Sequence, residues 1–144
     1  MRIVVLNGAN LDMLEHRDPE IYGGIGLSEL ETKIYQWALE LQSTVRCRQT
    51  NHEGEFIERL HRVPESADAV IVNAGSWTHY SWAIRDALEP FEGTVIEVHI
   101  SDVDAREEWR RHSVLEGLAT ERITGQGVEG YRRALELLAE RRDA

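Results

Sequence analysis

Three short runs of β-branched residues constrain the fold more than any other feature of the sequence. They are RIVVLN at residues 2–7, AVIVN at 69–73 and VIEVHIS at 95–101. RIVVLN and AVIVN do not alternate between apolar and polar residues, and VIEVHIS opens with the apolar pair Val95 and Ile96. Each run is too apolar to be half-exposed and predicts a strand that is buried on both faces. Strands of this kind belong to parallel sheets that carry helices on both sides.

Segments with helical periodicity separate the strands. In LSELETKIYQWALEL, Leu30 and Ile34 share one face, and Ser28 lies three residues before Glu31, which predicts a capping box. Further helical segments are EFIERLHRV, SWAIRDAL, the short EEWRRH and GYRRALELLAERR, and two weaker strands are STVRCRQT and ERITG. This alternation predicts an α/β fold of the flavodoxin-like type, a five-stranded parallel doubly wound sheet, with residues 1–144 as a single domain.

Charge and composition exclude several classes of protein. The formal net charge is -10, and the arginines are interleaved with acidic residues, so nucleic acid is not an expected partner. No apolar run reaches membrane-spanning length and MRIVVLNG is not a leader, so we expect a cytoplasmic protein that binds no membrane. Cys47 is the one cysteine, which leaves no disulfide and no CxxC site, and no cluster has metal-ligand spacing.

Polar residues follow the predicted strands where each strand ends. They are Asn7 and Asn10, then Gln49, Asn51 and His52, then Asn73, and finally His99 and Ser101. An Asn-Gly pair alone is a common turn, and His99 alone is equally typical of a hydrogen-bonded core histidine. Because the carboxyl ends of parallel strands share one edge of a sheet, their joint occurrence predicts a ligand site at that edge.

A connection of roughly twenty residues follows the first strand, and loops of that length in compact domains usually cover a site. It contains HRDPEIYGG, with Arg17 and Tyr22 near a glycine hinge formed by Gly23, Gly24 and Gly26. A solvated surface loop is the alternative. Because the connection begins at the end of the first strand, it can place Arg17 and Tyr22 over the same edge of the sheet.

Four segments resemble one family in order and spacing. NGANLDMLEHRDPEIYG, QTNHEG, NAGSWTHYSWAIRDAL and EVHISDVDAREEWRRHS are similar to the type II 3-dehydroquinate dehydratases of the shikimate and quinate pathways. The resemblance implies a trans-dehydration of 3-dehydroquinate to 3-dehydroshikimate through an enolate, with no cofactor and no metal. It also implies a homo-oligomer, a dodecamer built of trimers.

The resemblance further implies the roles of individual residues. Tyr22 would remove a proton beside the ketone with help from Arg17, His99 would protonate the departing hydroxyl, and Asn10 would help to stabilise the enolate. The implied substrate-binding residues are Asn73, His79, Asp86, Ile100, Ser101 and Arg110, and Asp86 would reach the site of a neighbouring subunit. We expect a carboxylate, Glu97 or Glu53, to support the imidazolium of His99.

Departures from the family pattern are Ala9 and Ala74 in place of prolines, Glu15 in place of glycine and Asp104 in place of histidine. Glu15 is expected to pair with Arg17 when the lid is open. Other readings remain possible on the sequence. They are the same dehydration of an amino analogue of dehydroquinate, a catalytically silent binding paralogue, and, with weaker motif support, a flavin-binding electron carrier or a receiver domain.

Overall fold

Five parallel strands form one sheet in the order β2-β1-β3-β4-β5. The computed structural model describes residues 1–144. The strands are β1 Arg2–Asn7, β2 Thr44–Gln49, β3 Ala69–Asn73, β4 Thr94–His99 and β5 Glu121–Thr124. β2 lies on one side of β1, whereas β3, β4 and β5 follow on the other side, so the topological switch point lies between β1 and β3. This strand order confirms the predicted flavodoxin-like sheet.

Helices cover both faces of the sheet. They are α1 Pro19–Tyr22, α2 Leu27–Glu40, α3 Glu53–Ser66, α4 Trp82–Leu88 and α5 Glu129–Asp143, and short 3₁₀ turns span Leu11–His16, Gly75–His79, Val103–Ala105 and Glu108–Arg111. α2 packs against α5 on one face, and α3 packs against α4 on the other. None of these helices combines the length and the apolar character that crossing a membrane requires.

The central strand explains why its sequence is apolar throughout. All five residues of β3 are buried. Ile71 packs into the core beneath α2 and α5, whereas Val70 and Val72 pack into the core beneath α3 and α4. A strand covered on both sides has no solvent-facing position, so a polar residue within it costs free energy unless it is hydrogen-bonded.

The predicted capping box of α2 is wrong. The N-cap is Gly26, in an extended conformation with φ -85° and ψ 168°, and no side chain caps the helix. Ser28 therefore lies inside the first turn instead of before it. Leu27 packs against the core, so the helix begins there, and this tertiary contact overrides the local Ser28 and Glu31 pattern.

The connection after β1 is more ordered than the sequence predicts. The Leu11–His16 turn buries Leu11 and Leu14 in the core. The following helix, α1, has Asp18 as its N-cap, whose side chain accepts a hydrogen bond from the amide of Glu20 at 3.0 Å. It ends at Gly23, whose φ of 88° is easily adopted only by glycine. Tyr22 therefore projects from a short helix that is anchored at both ends.

Candidate active site

A cleft of about 310 Å³ lies at the carboxyl edge of the sheet, where β1, β3 and β4 end. Nine of the predicted site residues line it, namely Asn10, Arg17, Tyr22, Asn73, His79, His99, Ile100, Ser101 and Arg110. Asp86 does not line it and is exposed on α4. The topology therefore brings the predicted residues of three strand ends and the lid to one place.

Two glycines allow the ends of β1 and β3 to approach closely. A Cβ atom on Gly8 would lie 2.6 Å from the carbonyl oxygen of Ala74, and one on Gly75 would lie 2.7 Å from that of Ala9. The amide of Gly8 donates to the carbonyl of Asn73 at 2.7 Å. Only glycine fits at this crossing, which is the topological switch point of the sheet.

A buried hydrogen-bond network forms the floor beneath this crossing. Tyr131 on α5 donates its hydroxyl to Asn7 Oδ1 at 2.6 Å and accepts from Asn73 Nδ2 at 3.0 Å. Asn73 Oδ1 accepts from the amide of Gly75 at 3.2 Å. Burial raises the pKa of the Tyr131 phenol, so it stays neutral and keeps its proton for Asn7. The network fixes the orientation of Asn73.

The polar residues after β2 support the cleft from outside. Asn51 accepts a hydrogen bond from the amide of Asn10 at 2.8 Å and donates to Asp12 Oδ2 at 3.0 Å. This contact holds Asn10 in a left-handed conformation with φ 70°. Asn51 therefore shapes the turn that carries Asn10 without lining the cleft itself.

Two guanidiniums hold the phenol of Tyr22 over the cleft. The hydroxyl oxygen of Tyr22 accepts from Arg17 Nη2 at 2.5 Å and from Arg106 Nη1 at 2.8 Å, and the tyrosine is buried. Arg106 Nη1 also donates to Ser101 Oγ at 3.2 Å. Two permanently charged guanidiniums therefore donate hydrogen bonds to one phenolic oxygen.

The sequence analysis did not identify Arg106 as a site residue. It lies in a stretch of arginines interleaved with acids, which is typical of a solvated surface. The signal that could have found it is its position five residues after Ser101, within reach of the same strand end. Trp109 also lines the cleft, and its ring lies 4.1 Å from the guanidinium carbon of Arg110.

The cleft is electropositive in a strongly acidic chain. Arg17, Arg106 and Arg110 line it, and no Asp or Glu does. Burial lowers the pKa of Arg17, the charge of Tyr22 raises it, and the nearby charges of Arg106 and Arg110 lower it further. Arginine remains protonated in proteins. Arg110 is paired with Glu107 outside the cleft, but three cations with no carboxylate among the lining residues favour an anionic ligand.

Opposite the lid, His99 forms a buried pair with a carboxylate. His99 Nε2 lies 2.5 Å from Glu97 Oε2, and Ser113 Oγ donates to Glu97 Oε1 at 2.8 Å. Burial raises the pKa of Glu97, but the hydrogen bonds from His99 and Ser113 and the charges of His99 and Arg122 outweigh it and leave that pKa lowered. Glu53 instead accepts from Ser81 Oγ at 2.6 Å, so Glu97 is the carboxylate that supports His99.

The family model described as dehydroquinase class II matches residues 1–139. The chain belongs to the class II dehydroquinase family. The 3-dehydroquinate dehydratase of Pelobacter propionicus is 51% identical to it over 135 residues, which are 93% of this chain and 91% of that protein.

Solved structures of the family have the same fold. The type II dehydroquinase of Butyrivibrio crossotus superposes with a TM-score of 0.93 at 41% identity and covers 96% of this chain and 97% of its own. The type II dehydroquinase of Propionibacterium acnes gives a TM-score of 0.92 at 40% identity and 96% coverage of both chains.

Beside His99 in this class II dehydroquinase, His79 is held as a neutral side chain. Its Nδ1 donates to the carbonyl of His112 at 2.7 Å, and its ring stacks on that of His99 with centroids 6.0 Å apart. Burial is the main cause that lowers the pKa of His79. Of the two stacked imidazoles, only His99 has a carboxylate partner, so it is the one equipped to carry a proton.

Positions where the chain departs from the dehydroquinase pattern leave these contacts in place. Glu15 Oε1 lies 3.4 Å from His16 Nε2, and the Glu15 side chain lies beside Gly26. With the lid over the cleft, Arg17 donates to the Tyr22 hydroxyl and does not pair with Glu15. Ala74 is buried beneath the β1 crossing. No group of three His, Cys, Asp or Glu side chains is arranged to hold a metal ion.

Proposed function

We propose that this chain dehydrates 3-dehydroquinate to 3-dehydroshikimate by a trans-elimination through an enolate. The observation that supports this reaction most strongly is that a base and an acid lie on opposite sides of one cleft. Tyr22, bound by two guanidiniums, is a base on one side, and His99, bound by a buried carboxylate, is an acid on the other. Membership of the class II dehydroquinase family points to the same reaction.

The first step is removal of a proton from the carbon beside the ketone. The phenolate of Tyr22 takes this proton, and Arg17 and Arg106 favour the phenolate beforehand. The electrons of the broken C–H bond move to the ketone oxygen, which becomes an enolate. Asn10 lies at the same cleft, and its amide suits stabilisation of that oxygen directly or through water.

The second step expels the hydroxyl group. His99, as an imidazolium supported by Glu97, gives its proton to the departing oxygen while the enolate collapses to the enone. Water leaves, the tyrosine holds the abstracted proton and the histidine is neutral. Proton exchange with solvent then restores both groups, so each turnover consumes no other reagent.

Substrate binding follows from the electropositive cleft. Arg110 suits the carboxylate of 3-dehydroquinate, and its guanidinium is held by Glu107 and by the ring of Trp109. Asn73 and His79 suit the ring hydroxyls, as does the backbone of Ile100 and Ser101, which lies at the same wall of the cleft.

The test is turnover of purified protein supplied with 3-dehydroquinate alone. We expect an enone that absorbs in the near ultraviolet, at a rate unchanged by excess chelator. The amino analogue of dehydroquinate should be assayed in parallel, because the named contacts do not distinguish the two rings. Absence of turnover on 3-dehydroquinate would contradict the proposed function. A faster reaction of the analogue would mean that the analogue is the preferred substrate.

We also propose an oligomer built of trimers, arranged as a dodecamer, in the cytoplasm. Asp86 is exposed on α4 beside the exposed Trp82, a surface suited to reaching a second copy's cleft. The unpaired buried thiol of Cys47 is compatible with a reducing compartment. Light scattering checks the assembly, and a fully active monomer would contradict it.

A further inference from the structure

An arginine on the edge strand shares the carboxylate that supports His99. Arg122 lies directly opposite Glu97 in the parallel pairing of β4 with β5. Its Nε donates to Glu97 Oε2 at 3.2 Å, and the same oxygen lies 2.5 Å from His99 Nε2. One carboxylate oxygen therefore serves two nitrogen donors.

Arg122 has no access to the substrate cleft. It lines a separate surface cleft of about 280 Å³, which Glu97 and Arg111 also line. Its Nη1 reaches Asp104 Oδ1 at 3.5 Å, and 29% of its side chain is exposed. Arg122 therefore acts on the reaction without touching the substrate, through its contact with Glu97 and through its own charge.

We infer that Arg122 is a positioning residue that weakens proton binding at His99 through their shared Glu97 oxygen and so makes the imidazolium a stronger acid. The inference rests on the proposed role of His99 as the acid that protonates the departing hydroxyl. A guanidinium is always charged, so Arg122 neutralises part of the negative charge of Glu97 and adds a positive charge near the His99 ring.

Two opposing effects of Arg122 have to be weighed. If Arg122 orients Glu97, it favours the imidazolium form of His99. Its positive charge disfavours that same form. Orientation does not depend on Arg122, because Oε1 of Glu97 is held by Ser113 at 2.8 Å and Oε2 by His99 itself. Glu97 is also fully enclosed, with 1% of its side chain exposed. The added charge is therefore the larger effect.

Other charged groups surround the His99–Glu97 pair on both sides. On the cleft side they are His79 and Arg110, and on the outer side they are Arg111, Glu116, Glu121 and Asp104. None of these contacts Glu97 or His99 through a hydrogen bond or an ion pair, whereas Arg122 does. This difference makes Arg111 a matched control, since it lines the same outer cleft and carries the same charge.

The test is an NMR titration of the His99 ring in the substrate-free protein, with His99→Gln used to assign its signal. We expect Arg122→Met to raise the titration midpoint of His99 by about one pH unit, Arg122→Lys to restore most of the wild-type value, and Arg111→Met to move it by less than about 0.3 unit. An unchanged midpoint in Arg122→Met would overturn the inference. A lowered midpoint would also overturn it, because it would mean that Arg122 acts chiefly by holding Glu97.

Kinetics give a second readout. At pH values where His99 is protonated in both proteins, Arg122→Met should lower kcat about threefold, since the acid is weaker, and leave KM within about twofold. It should also move the falling limb of the kcat profile to higher pH. A kcat and falling limb equal to those of the wild type would overturn the inference. An inactive wild type would contradict the proposed function instead, and the NMR titration would still decide the influence of Arg122 on His99.

Discussion

At the residue scale, the charge state of a buried titratable group depends on whether a partner of opposite charge is present. Glu97 has His99 and Arg122 beside it and remains ionised despite its burial. His79 has only a carbonyl as partner, and burial lowers its pKa. This contrast follows from the cost of removing an unpaired charge from water. It supports the proposal that His99 transfers a proton and that His79 only forms hydrogen bonds.

The first prediction separates the base from the acid. Tyr22→Phe should abolish turnover and also abolish deuterium incorporation beside the ketone in heavy water, since it removes the base and keeps the shape of the ring. His99→Gln should abolish dehydration but keep slow deuterium incorporation, because proton removal precedes the acid step. Mass spectrometry of recovered substrate checks both variants. Exchange at the wild-type rate in Tyr22→Phe would mean that another residue is the base.

A second prediction concerns the arginine that the sequence did not reveal. Arg106→Met removes one of the two guanidiniums on the Tyr22 hydroxyl and should lower kcat about 10- to 100-fold while moving the rising limb of the pH profile upward. Ser101→Ala removes the other contact of Arg106 and serves as its control. If Ser101→Ala reproduced the whole loss and the rising limb stayed in place, Arg106 would act through Ser101 and not through the phenol.

At the element scale, the strands were predictable and the ends of the helices were not. β1, β3 and β4 are largely buried on both sides, and such strands leave runs rich in β-branched residues in the sequence. The start of α2 depends on which residue becomes extended and on the packing of Leu27, so the local signal at Ser28 misled. Helix boundaries are decided by tertiary contacts of this kind more often than by caps alone.

The same distinction applies to the site. Residues that directly follow strands were found because parallel strands deliver their ends to one edge. Arg106 was missed because it lies between two 3₁₀ turns, where no periodicity marks the side that faces the cleft. The lid residues Arg17 and Tyr22 were found from the length of their connection. The role of Asp86 stays a prediction, because this exposed residue does not reach the cleft of its own chain.

The third prediction tests the crossing of the β1 and β3 turns. Gly8→Ala should lower both stability and activity, by about 1 to 3 kcal/mol in the free energy of unfolding, because its methyl would meet the Ala74 carbonyl oxygen at 2.6 Å. Gly54→Ala is the matched control, since nothing lies within 4 Å of its Cβ position near the start of α3. Denaturant unfolding and turnover check both. Equal stability of the two variants would mean that the turns relax apart without cost.

At the scale of the whole molecule, the two cores on either side of the sheet differ in the groups that they bury. The core beneath α2 and α5 encloses Cys47 and Tyr131, two weak acids. Burial raises the pKa of the Cys47 thiol to about 12, and it also raises the pKa of the Tyr131 phenol. Both groups stay neutral in the folded chain at a pH where they ionise in the unfolded chain, so this core is sensitive to alkali.

The last prediction follows from the sign of that shift. A group whose pKa is raised on folding contributes fully below its unfolded pKa, which for Cys47 is 9.0, and its contribution is lost as the pH rises towards the folded value of about 12. Ionisation of Cys47 in the unfolded chain alone should therefore lower the unfolding free energy of the wild type by about 1 kcal/mol at pH 10 relative to pH 7. Cys47→Ala will be less stable at pH 7, because a buried sulfur is lost, but it should fall less steeply with pH. Urea unfolding at pH 7, 9 and 10 compares the two slopes, and the Tyr131 contribution cancels because both proteins contain it. Parallel slopes would mean that the thiol ionises in the folded protein, and the core beneath α2 and α5 would then admit water at β2.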